Sequence, residues 1–179
     1  LLSMPMCNLI NGGKHASHST DMQEFMIIPV GADTFSDAVR MSAETFHTLR
    51  EILAENGYDT TVGDEGGFAP AVKRGNKEAL ELLMHAVEQA GYTPGTDIAF
   101  GVDAAANSFF DGHNYALKSE DRILNTHEMI DFYASLVQEF PLISIEDGLI
   151  EEDWDGWKVL QERLGDEIQI VGDDLLVTN

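Results

Sequence analysis

Ile98-Ala99-Phe100-Gly101-Val102-Asp103 is an apolar run that stops on a carboxylate. The chain repeats the pattern twice more, in Leu142-Ile143-Ser144-Ile145-Glu146 and in Ile168-Gln169-Ile170-Val171-Gly172-Asp173. Nearly continuous apolar runs of this length suit strands buried on both faces, as in a parallel sheet covered by helices. The segments between them have helical periodicity. Ala38, Met41, Thr45, Leu49 and Ile52 recur at three- and four-residue steps, Thr34 with Asp37 predicts the cap that opens this helix, and Gly57 its end. Further helices are predicted over about 77–90, with Leu80, Leu83, Met84 and Val87 on one side, from Asn125 (with Glu128 three residues on) to just before Pro141, and over about 153–164. Two more strands, 5–10 and 24–30, flank a polar loop near the start. The class is α/β, and the alternation fits either a barrel or an open doubly wound sheet. No Gly-x-Gly-x-x-Gly follows a strand, and Gly12-Gly13-Lys14 is too short for a phosphate loop, which weighs against a nucleotide site.

With 179 residues, 44% of them hydrophobic, the chain has material for one sizeable core and reads as a single domain. Its 32 acidic residues against 10 Lys and Arg give a formal charge of -22, which would repel nucleic acid and anionic membrane alike. Cys7 is the only cysteine, so no intrachain disulfide can form, as suits a reducing compartment. No apolar run approaches the ~20 residues of a membrane span, and no basic-then-apolar leader is present. The chain opens on Leu1-Leu2-Ser3 and stops on Thr178-Asn179 soon after an apolar run, so the expectation is a piece cut at both ends.

The three terminal acids carry the chemistry. In parallel strand–helix folds the carboxyl ends of the strands open onto one face, where ligands bind. Asp103, Glu146 and Asp173 would converge there, and like charges brought together each raise the others' pKa until a cation relieves them. Carboxylates without thiolates favour a hard ion, Mg²⁺ before Zn²⁺. Each acid taken singly also fits a plain helix cap. Asp147 and Asp174 compete for the assignment; Glu146 and Asp173 are preferred because they come first after their strands. Asp64-Glu65-Gly66-Gly67 places a carboxyl in a loop whose glycines allow close backbone approach, the setting for a general acid or base, although the same run also makes a polar turn. Asn11-Gly12-Gly13-Lys14-His15, followed by Gln23-Glu24, reads as a Gly-rich loop able to close over a substrate, or as an ordinary surface loop.

Together these segments resemble enolase. The similar stretches are Asn11 to Ala16, Gln23 to Met26, Val62 to Pro70, Ser144 to Gly148 and Gly172 to Asn179, in the family's order and with similar gaps. The resemblance implies a partial (β/α) TIM-type barrel of the enolase superfamily over residues 1–179, without the family's N-terminal cap domain and its last barrel units. It implies Mg²⁺ on Asp103, Glu146 and Asp173, with Glu65 as the acid that helps a 3-hydroxyl leave. His15, Gln23 and Glu24 would lie against substrate. The implied reaction is the reversible dehydration of 2-phosphoglycerate to phosphoenolpyruvate, in the cytoplasm or also at the cell surface or secreted, by a homodimer or larger homo-oligomer. The family's Lys base and its phosphate-holding residues would fall beyond Asn179, so residues 1–179 alone are expected to be inactive. Two other readings remain: another Mg²⁺-dependent dehydratase or isomerase of the superfamily, and a non-catalytic acidic protein that binds other proteins.

Overall fold

The computed structural model describes residues 2–16 and 19–179. Its main sheet has five strands, β1 (Cys7–Asn11), β2 (Glu24–Ile28), β3 (Ala99–Asp103), β6 (Leu142–Glu146) and β7 (Gln169–Val171), adjacent in that order. A separate hairpin pairs β4 (Tyr115–Leu117) with β5 (Arg122–Leu124). The helices are α1 (Phe35–Glu55), α2 (Asn76–Gln89), α3 (Thr126–Glu139) and α4 (Trp154–Leu164).

Local chemistry sets the helix ends. Thr34 accepts the Asp37 amide at 3.1 Å and opens α1, while Gly57, at φ +77°, follows its close. Asn125 and Glu128 form a reciprocal capping box at α3. The expected stripe of α1 is buried, whereas in α2 Met84 is only partly so and Ala79, Leu80, Leu83 and Val87 make the inner face. Pro29, which has no amide to give to a ladder, follows β2, so this strand stops at Ile28 rather than at Val30.

The three acid-tipped strands run parallel, β3 beside β6 and β6 beside β7, as expected. The first two strands do not follow that pattern. β1 pairs with β2, and β2 with β3, antiparallel. The connections explain this. A loop with no crossover helix joins β1 to β2, and only antiparallel neighbours can be so joined. Two helices join β2 to β3; two passes over the sheet return the chain to the end it left, so β3 runs back along β2. One face of the sheet buries Phe25, Val102 and Ile145, which lie side by side in register, in the common core with Leu49, Leu80, Leu83, Ile130 and Leu160 of the helices.

The sheet is mixed and open, not a closed barrel. Among the described residues β7 pairs only with β6. The free side of β1 takes the Phe68 backbone instead: Asn11 donates to its carbonyl at 2.8 Å and its amide donates to Leu9 at 2.8 Å. The β4–β5 hairpin arises in a stretch where the sequence offers no readable motif. Tyr115 anchors it, fully buried, its hydroxyl accepting the Ile150 amide at 3.2 Å. No helix among the described residues is long and apolar enough to cross a membrane.

Candidate active site

Strand register assembles the site. Asn11 stands opposite Glu24, Glu24 opposite Asp103, Asp103 opposite Glu146, and Glu146 opposite Val171. Because β2 runs against β3, its first residue lies level with the last residues of β3 and β6. One edge of the sheet thus carries three carboxylates in a row, and the turn after β7 adds Asp173.

The acids differ in surroundings. Asp103 is 8% exposed; its Oδ1 accepts the Ala105 amide at 2.9 Å and its Oδ2 the Gln23 side-chain amide at 3.1 Å. Burial, and then the charge of Glu146, push its carboxyl up to about 7. Glu146 is likewise pushed up to about 7, by burial first and then by Asp147 and Asp173. Carboxylate oxygens of Glu146, Asp147 and Asp173 lie within 4.8 Å of one another. Asp103, expected in this group, stands beside Glu146 but is turned toward Gln23. Asp147, at φ +44°, accepts the backbone amides of Asp173 at 3.1 Å and of Asp174 at 2.8 Å, so its carboxylate folds the turn that presents Asp173. Asp173 itself accepts the Thr178 hydroxyl at 3.2 Å. Asp174 is exposed and outside the group.

The donors are all oxygen, close together, with two carboxyls driven toward neutrality by burial and mutual repulsion. A dication would relieve both effects, and Mg²⁺ fits such a set by hardness and charge.

Beside the acids, ligand atoms of His15, Glu24 and Glu65 also lie within 4.8 Å of one another. His15 ends a short 3-10 turn, Gly13–His15, with its Nδ1 3.6 Å from Glu24 Oε1. Glu65 rides on the Gly63–Gly67 loop, closed by the Gly63 amide on the Gly67 carbonyl at 2.7 Å, and its side chain is exposed. Burial raises the Glu24 pKa; Glu65 adds to this and His15 opposes it. Of the seven residues singled out from the sequence, His15, Glu24 and Glu65 form one group, Glu146 and Asp173 fall in another with Asp147, and Asp103, bonded to Gln23, stands between Glu24 and Glu146 in the register. Sequence reasoning passes over two others, Asp147 as the turn former and Asn11 as more than part of a motif; the Asx-type spacing of Asp147 to the turn offers no local signal, because they are 26 residues apart.

The family profile for the enolase C-terminal TIM barrel domain matches residues 1–179. The chain belongs to this enolase family. Family membership covers the α/β architecture and superfamily type of this enolase domain, and its acid-lined sheet edge is the place where the family's chemistry is to be sought.

Proposed function

We propose that the chain is an arc of an enolase barrel, a single domain over 1–179, carrying the metal and acid groups for interconverting 2-phosphoglycerate and phosphoenolpyruvate. The observation that carries this reading is the position of Glu24, which groups with His15 and Glu65 and stands opposite Asp103, itself opposite Glu146. Asp103, Glu146 and Asp173 would hold Mg²⁺. Asp147, whose oxygens accept the Asp173 and Asp174 amides, orients Asp173. An ion held there would supply positive charge against the second negative charge that builds on the substrate carboxylate when its C2 proton leaves.

The residues then divide the work. Glu65, exposed beside His15, gives a proton to the departing C3 hydroxyl, which leaves as water while the C2–C3 double bond forms. Glu24 and His15 fix the substrate side of that carboxyl, and Gln23, tied to Asp103, contacts substrate across the metal cluster. The base for the C2 proton is assigned to none of these. The test is phosphoenolpyruvate formation from 2-phosphoglycerate by the protein carrying this chain, with Mg²⁺ and then with chelator. Turnover that is absent with Mg²⁺, or indifferent to its removal, overturns the reading.

A further inference from the structure

The loop that carries Glu65 is bonded at one end to the Asn11 side chain and approaches it closely at the other. Asn11 is fully buried, and its Oδ1 accepts the Gly67 amide at 2.8 Å. Its own amide donates to the Phe68 carbonyl at 2.8 Å, and Phe68, 1% exposed, stacks on Phe46 with ring centroids 4.4 Å apart. At the other end of the loop, a Cβ built on Gly63 would come 2.8 Å from Asn11 Cβ and 2.9 Å from the His15 carbonyl oxygen. On Gly67 it would come 2.8 Å from Asn11 Oδ1. The Glu65 loop and the His15 turn thus meet on the Asn11 side chain, with no room for another methyl group at either glycine.

Asn11 holds this place at a cost. Its Nδ2 is buried and has no hydrogen-bond partner among the described residues, so its desolvation on folding goes uncompensated. An aliphatic side chain of similar shape would avoid that cost but leave the Gly67 amide bare. Glu65 is exposed and makes no hydrogen bond of its own among the described residues, so its place is set by the loop's anchors.

We propose that Asn11 is a positioning residue, which sets Glu65 against His15 and Glu24 through the Gly63–Gly67 loop. This rests on the reading of Glu65 as the acid given above. Two variants test it from opposite sides, in the protein carrying this chain. Asn11→Ala removes the acceptor; Gly67→Ala keeps Asn11 and pushes the loop off it. Each should lower kcat by about 10- to 100-fold, the scale of a displacement near 1 Å, with KM little changed. Each should spare proton exchange at the substrate's C2, which does not use Glu65. In a Glu65→Gln background neither should lower kcat further, because the displaced group is already gone. Hydrogen exchange should rise across residues 61–69 and at the Asn11 amide that donates to Phe68, and not along the rest of β1 or β2.

Losses that add to that of Glu65→Gln, or protection lost along the rest of β1 and β2 as well, make Asn11 an ordinary core residue and overturn the proposal. If the parent forms no phosphoenolpyruvate, the role of Glu65 falls with the proposed function. The exchange experiment then still decides whether Asn11 holds the loop: a rise confined to it and to the Asn11 amide supports the anchoring, and an unchanged loop refutes it.

Discussion

Several carboxylates crowd a short stretch of the sheet edge, and their hydrogen bonds separate them. Asp173→Asn is expected to weaken Mg²⁺ binding far more than Asp174→Asn, measured by calorimetry, since Asp174 is exposed and outside the close group; the reverse order would exchange their roles. Glu65→Gln should spare substrate affinity and cut turnover by about 10²-fold, the scale of a lost general acid. The two buried carboxyls also make a signed prediction. An unfolded Asp titrates near 4, while Asp103 is pushed up to about 7 in the folded chain. Between these values the folded state holds a proton that the unfolded state has released, so in chelator this carboxyl makes stability fall as pH rises from about 4 to about 7. Urea midpoints at the two ends of that window should differ less for Asp103→Asn than for the parent; parallel shifts would refute it. Carboxylates lowered by their hydrogen bonds, such as Asp59 and Asp111, act in the opposite sense, which is why the variant comparison isolates Asp103. Asp103 and Glu146 are legible in the sequence because each ends an apolar run. The part played by Asp147 is not, since it depends on amides of a turn distant in the chain.

At the scale of elements, periodicity and caps locate all four helices, because stripe and cap are local. Asn125→Ala should cost α3 about 1 kcal/mol by removing its half of the capping box, read as a lower urea midpoint. Strand direction is not local. Glu24 reaches the acid-lined edge only because two helices intervene between β2 and β3, and nothing within Glu24–Ile28 announces that reversal; from the sequence its place beside Asp103 rests on resemblance alone. β4 and β5 escape notice for a related reason: three-residue strands are too short for alternation to show. Pairing also grades the sheet. β3 is buried along its whole length between two partners, whereas β7 has one partner and Gln169 is exposed. Amides of β7 are therefore expected to exchange faster than those of β3; equal protection would mean that the β7 edge is covered in solution.

Over the whole molecule, a charge of -22 opposes compaction, and part of it is concentrated at one sheet edge. Added NaCl should raise the melting temperature by screening the charge. Mg²⁺ at the same ionic strength should raise it further, and Asp173→Asn should abolish only the excess; identical curves for the two salts would mean no specific site. The register that aligns Glu24 with Asp103 has a further consequence, for folding fidelity. A slip of β2 by one residue would bring Phe25 level with Asp103, exchange Phe25 and Ile27 with Met26 and Ile28 between the strand's two buried faces, and turn Glu24 inward. Turning Glu24 inward sets a charge against apolar neighbours, so the burial that stabilises the sheet disfavours this misalignment of the acids. A chain folded in that register would carry a poorly packed core, so ordinary surveillance for exposed apolar surface would also favour chains whose edge acids are aligned.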